Sequence, residues 1–189
     1  MRLTGQVRED RALLVVALEE EARQLDHDGL PVLITGVGKV RAAVTVATLL
    51  ASARPAYVVN LGTAGGLHPG LEGVHEVGTV VQHDFDDEGV AAVVGHHFGG
   101  PIVLGDGPTL ATGDRFVSGG PLREALLQHA ELVDMEGYAV AAACMAAEVP
   151  VRLVKLVSDD AGDDAGRTWA DSVADHAHTL AAWVETHLL

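Results

Sequence analysis

The stretch Val133-Asp134-Met135-Glu136-Gly137-Tyr138 carries residue types that can hold a sugar. A short apolar run ends at Val133 and a small-residue run follows over 139–147, so an acidic pair and its methionine stand where a strand turns into a helix. In an open α/β sheet, ligands bind at the carboxyl ends of strands. A carboxylate there accepts hydrogen bonds from two adjacent hydroxyls, and an unbranched thioether lies against a sugar face. Glu136 equally suits the positive end of a helix N-terminus with no ligand present. The stretch by itself leaves both readings open.

Other polar groups end apolar runs in the same way. Glu19-Glu20-Glu21 follows the run 13–18, and three carboxylates at a helix start serve the dipole and solubility more often than catalysis. Gly36-Val37-Gly38-Lys39 follows the run 32–35 and allows close backbone approach. It lacks the dinucleotide glycine spacing and the Walker hydroxyl after Lys39. Gly62-Thr63-Ala64-Gly65-Gly66-Leu67 reads as the exit loop of a strand at 57–61, offering backbone donors and one hydroxyl, or simply as a tight turn. Phe116 follows a strand near residue 110, and Ser158-Asp159-Asp160 ends the last apolar run.

The elements that must position these groups alternate. Strands are expected at 13–18, 32–35, 57–61, 78–82, from 110 up to the polar loop that carries Phe116, up to 133, and 151–157, with short strand-like pieces at 91–94 and 102–104. Helices are expected from Ala22, at 40–53, from Pro121 to about His129, at 139–147, and from about Trp169 to His187. Continuous apolar strands between helices mean an α/β sheet covered by helices, and 189 residues suffice for one domain, 1–189, with a substantial core.

Composition narrows the chemistry. The formal net charge is −15, and no basic stripe offers to neutralise phosphates, so nucleic acid is not the expected partner. No apolar run reaches a membrane span, and the first residues lead into charges rather than a signal-peptide core. A soluble cytoplasmic protein acting on a small molecule is expected. The single Cys144 excludes an internal disulfide and reads as a buried small hydrophobe. Ten histidines invite a metal, but His176 and His178 are two apart on a helix and face apart. Asp159, Asp160, Asp163 and Asp164 lack the calcium-loop pattern. Neither a metal nor a cofactor is expected.

Taken together, six pieces resemble the purine nucleoside phosphorylase/uridine phosphorylase superfamily, in particular its methylthioadenosine/S-adenosylhomocysteine nucleosidase branch. They are Ala17-Leu18-Glu19-Glu20-Glu21, Gly36-Val37-Gly38-Lys39-Val40, Asn60-Leu61-Gly62-Thr63-Ala64-Gly65-Gly66, Gly113-Asp114-Arg115-Phe116, Met135-Glu136 and Val157-Ser158-Asp159. The resemblance implies a three-layer fold with a central mixed β-sheet flanked by helices. It implies that Glu21 orients and deprotonates the attacking water, with the Thr63 hydroxyl nearby and Ala64 and Gly65 beside it. Phe116 stacks on the base and the Val117 backbone reads its edge. Met135 and Glu136 hold the ribose, Asp159 delivers a proton to the purine ring, and Ser158 helps place it. A homodimer is implied as well.

The chemistry asks for such a set. Cleaving an N-glycosidic bond builds positive charge on the ribose and negative charge on the base. An acid at the base and a water-activating carboxylate each contribute about 10²–10⁴-fold. Two carboxylates in different environments can hold opposite protonation states.

Three departures mark this chain. Lys155 stands where the relatives carry an arginine, a point charge in place of a planar fork. The strand pair after the first helix is reduced to Asp26-His27-Asp28-Gly29-Leu30-Pro31. The segment 83–108 is short, and its His83, Asp84, Asp86, Asp87, His96 and His97 are expected to make a polar wall near the ribose 5′ end. No arginine near Thr63 matches the phosphate ligands of the phosphorylases, which favours water as nucleophile. A phosphate-dependent phosphorylase and a non-catalytic nucleoside-binding module are the alternatives.

Overall fold

The computed structural model describes residues 2–25 and 29–189, with backbone alone for 167–174. Residues Asp26, His27 and Asp28 of the shortened connection lie outside the described residues, as does the Trp169 side chain.

The apolar run near the N-terminus forms β2 (Ala12–Val16), buried at every position. Its side chains alternate between two cores. Leu14 and Val16 join Val59, Leu61, Val154 and Leu156 beneath Leu180 and Val184 of α6 (Ala165–Leu188). Leu13 and Val15 face the other way, with Ala42, Val46 and Leu49 of α2 (Lys39–Leu50) and Ala139, Val140 and Ala143 of α5 (Gly137–Ala146). Strands buried on both faces need helices on both faces, and the result is three layers.

The sheet turns on β4 (Tyr57–Gly66). It pairs in parallel with β2 through its first half and with β10 (Val151–Asp159) along its length. At its far end Gly65 and Gly66 pair antiparallel with β9 (Leu132–Asp134). Beyond β2 lie β3 (Val32–Ile34) and the antiparallel β1 (Arg2–Thr4). Beyond β9 lie β8 (Thr109–Thr112), β6 (Thr79–Gln82) and β7 (Ile102–Val103), while β5 (Val74–Glu76) edges β10. α1 (Glu19–Ala22) and α4 (Gly120–Leu126) complete the elements used below. No described helix is long and apolar enough to cross a membrane.

Three expectations are corrected. Residues 62–66 are strand rather than exit loop, because Gly62, Thr63 and Ala64 pair with Lys155, Leu156 and Val157 of β10. The segment 91–94 is the end of a helix, α3 (Asp87–Val94), rather than a strand-like piece. Asp86 accepts the Gly89 N–H at its start, and Gly95 closes it at φ 83°, the left-handed stop that glycine permits. Ser158 and Asp159 lie inside β10 rather than after it, with a register shift between Val157 and Asp159 that leaves Ser158 as a bulge.

Candidate active site

The carboxyl ends of β2, β4, β9 and β10 surround a cavity of about 300 Å³. All eleven residues singled out from the sequence line it: Glu21, Thr63, Ala64, Gly65, Phe116, Val117, Met135, Glu136, Lys155, Ser158 and Asp159. Its deepest groups are charged. Its rim carries the half-exposed Phe116 and Val37.

Glu21 reaches the floor because α1 starts directly after β2. Its Oε2 accepts the N–H groups of Ala17 at 3.0 Å and of Leu18 at 2.9 Å, the latter a donor that a helix start leaves unpaired. Burial pushes the Glu21 carboxyl up, against the pull of those donors, the Thr63 N–H and the Lys155 charge. A raised pKa makes the ionised carboxylate a stronger proton acceptor. A Cβ on Gly62 would lie 3.3 Å from Glu21 Oε1 and 3.5 Å from Lys155 Nζ, so the bare backbone there opens the space these groups share.

Lys155 is 2 % exposed. Its Nζ lies 2.9 Å from Asp134 Oδ2 and donates to Asn60 Oδ1 at 2.8 Å. Asn60 in turn donates to the Val15 carbonyl. Asp134 also accepts the Thr112 hydroxyl at 2.6 Å and the Gly137 N–H at 2.8 Å. Both members of the buried ion pair thus have further hydrogen bonds, the condition under which such a pair is tolerated. The sequence reading assigned Asp134 and Asn60 no role. The signal was there: Asn60 lies between Val59 and Leu61, and Lys155 between Val154 and Leu156, each a polar residue flanked by apolar neighbours in a strand.

Glu136 follows β9 at the start of α5. Its Oε1 accepts the Gly38 N–H at 2.8 Å. Burial and the neighbouring Asp134 push its carboxyl up to about 7, opposed by Lys155 and the Gly38 N–H. Asp159 is aimed by the bulge at Ser158, a device that redirects a side chain. Its Oδ2 accepts the Ser158 hydroxyl at 2.7 Å and its Oδ1 the Ala161 N–H at 2.8 Å. A Cβ on Gly65 would sit 3.3 Å from Asp159 Oδ1. Glu21 and Asp159 thus approach β4 at Gly62 and Gly65, three residues or roughly 10 Å apart along the strand. That separation leaves room for a small ring and a water.

The polar wall expected from 83–108 is not built: no residue of that segment lines the cavity. Its carboxylates serve partners outside the cavity, Asp84 with Lys39, and Asp87 with His97 and the N–H groups of Phe98 and Gly99. The walls are instead Leu18, Val37, Leu61, Val117 and Val133. Among the described residues no three His, Cys, Asp or Glu side chains group as a metal site. Burial pushes the Cys144 thiol up to about 12, which leaves it inert.

The phosphorylase superfamily model matches residues 23–101 and 84–187 of this chain. A 5'-methylthioadenosine/S-adenosylhomocysteine nucleosidase of Marinomonas sp. is 32 % identical, over 72 % of this chain and 71 % of its own. An S-adenosylhomocysteine nucleosidase of Streptococcus pyogenes superposes with a TM-score of 0.82 at 25 % identity, covering 93 % of this chain and 94 % of its own. The fold of a futalosine hydrolase mutant of Helicobacter pylori also matches with a TM-score of 0.82, at 20 % identity, over 94 % of this chain and 97 % of its own.

Proposed function

This chain belongs to the phosphorylase superfamily, and from that premise we propose that it is a nucleosidase acting on a purine-type nucleoside. The substrate class is methylthioadenosine/S-adenosylhomocysteine-like or futalosine-like, as the names of the similar proteins suggest. The observation that carries the mechanism is the convergence of Glu21, Met135, Glu136, Phe116 and Asp159 on one cavity.

Phe116 stacks on the base at the rim, and the Val117 backbone meets its edge. Met135 lies against the ribose, and Glu136 accepts its two hydroxyls. Glu21 takes a proton from water as the water oxygen bonds to the anomeric carbon. The carbon–nitrogen bond breaks, and Asp159 gives its proton to the base nitrogen. Ser158 and the Ala161 N–H hold Asp159 in place. The sugar, still bearing its 5′ group and now a hydroxyl at the anomeric carbon, leaves with the free base, and the proton on Glu21 passes to solvent as Asp159 regains one. Lys155 holds Asp134 and offsets the negative charge around Glu21.

Water rather than phosphate is the nucleophile. Among the described residues, the cations lining the cavity are Lys155, already paired with Asp134, and Arg115 beside Phe116. Base release from a panel of nucleosides, with and without phosphate, tests this reading. Release independent of phosphate is expected. A phosphate requirement would make the chain a phosphorylase, and binding without release a sensing module.

The continuous sheet supports reading residues 1–189 as one domain. We assign it to the cytoplasm and read it as a homodimer. Val40 and Val44 on α2 are 72 % and 61 % exposed, and α3 buries none of its residues. Apolar surface of this kind calls for a partner.

A further inference from the structure

The turn at 36–38 meets Glu136 through a single hydrogen bond, and three residues outside the cavity hold that turn. The Lys39 N–H donates to Asp114 Oδ1 at 2.8 Å, and the Asp114 N–H donates to Asp84 Oδ2 at 2.7 Å. Asp84 Oδ1 accepts from Lys39 Nζ, which also donates to Gln82 Oε1 at 3.0 Å. The three residues thus close a ring in which Lys39 donates twice, Asp84 accepts twice and Asp114 does one of each. They come from three elements: the first residue of α2, the loop after β6 and the loop after β8.

We propose that Lys39, Asp84 and Asp114 form a positioning ring that sets the spacing between the ribose carboxylate Glu136 and the base platform Phe116. The inference rests on the nucleosidase reading of those two groups. On one side the ring holds Gly38, whose φ of 98° suits glycine and whose missing Cβ would lie 3.0 Å from Asp114 Oδ1. The Gly38 N–H takes Glu136 Oε1 and leaves Oε2 for a ligand. On the other side Asp114 leads directly into Arg115, Phe116 and Val117 of the cavity wall. The ring joins the turn that meets Glu136 to the segment that carries Phe116. Burial acts to raise the Asp84 carboxyl, but Lys39 and the Asp114 N–H outweigh it and hold Asp84 below the usual carboxylate range, so it stays charged. Both partners of the Lys39–Asp84 pair are 17 % exposed. The pair ties the start of α2 to the loop after β6, so its effect on the site lies in geometry. A misplacement of about 1 Å in a site can cost up to about a hundredfold.

The test uses Lys39→Met, Asp84→Asn and the double variant, with Lys39→Arg as the conservative control. Steady-state base release is measured on the nucleoside the wild type turns over, and amide exchange at Gly38 on the ligand-free protein. KM should rise about tenfold in each single variant with kcat within about threefold, because binding groups shift together. The double variant should be no worse than the singles, and Lys39→Arg should recover most of the loss. Gly38 exchange should speed up about tenfold as the turn loosens. A KM rise below about threefold in the folded variants, or a loss confined to kcat, overturns the proposal. Unchanged Gly38 exchange overturns it too. If Lys39→Met does not fold, Asp84→Asn, which keeps the shape, gives the same two readouts. If the wild type releases no base, the nucleosidase reading fails, while Gly38 exchange still decides whether the ring holds the turn.

Discussion

Lys155 faces three carboxylates, those of Glu21, Asp134 and Glu136, and it is ion-paired with Asp134. Removing it leaves a buried carboxylate without its partner, which costs about 3–5 kcal/mol. Lys155→Met should therefore lose that much in urea unfolding, and a loss below about 1 kcal/mol would show that the pair is not the anchor of this floor. Glu136 adds a pH signature. Its carboxyl is pushed up to about 7, above its ordinary value, so the folded state holds the proton longer than the unfolded chain. The contribution is full below the unfolded value near 4.5 and is lost as pH rises to about 7. Relative to Glu136→Gln, the wild type should lose stability between those pH values; parallel stability curves for the two proteins would refute the shift. At this scale the sequence was most informative for groups at strand ends. Asn60 and Asp134 escaped because their role is to partner Lys155, and partnership across strands depends on register rather than local spacing.

The elements that place these groups follow from apolar runs, but their ends follow from pairing. A glycine-rich stretch reads as a loop until two neighbouring strands claim it, as β10 and β9 claim 62–66. Conversely, α3 was written in its caps, Asp86 and Gly95, and missed because four apolar residues in a row also suit a strand. The extension of β4 has a functional consequence, since it brings a residue without a side chain against Glu21. An alanine at Gly62 would place its Cβ 3.3 Å from Glu21 Oε1 and 3.5 Å from Lys155 Nζ. Gly62→Ala should lower kcat about tenfold or more while changing KM less, because it displaces the group that acts on water. Unchanged turnover in Gly62→Ala would mean that the space beside Glu21 is not where the water sits.

Across the whole molecule, the alternation of strands and helices foretold a layered α/β sheet, and the order β1-β3-β2-β4-β9-β8-β6-β7 was beyond it. Strand order is set by which faces bury together, and no single stretch carries that. The edge of the molecule departs from expectation: the polar segment 83–108 bonds to partners outside the cavity and contributes none of its lining. The exposed valines of α2 and the unburied α3 lead to a dimer mass in light scattering at micromolar concentration, and a monomer mass would contradict the homodimer. The central claim is that Glu21 activates water while Asp159 protonates the base. Its most direct test is kcat for Glu21→Gln and Asp159→Asn at saturating nucleoside. Each should fall by about 10²–10⁴-fold with affinity largely kept, and a kcat near that of the wild type in either variant would contradict the account.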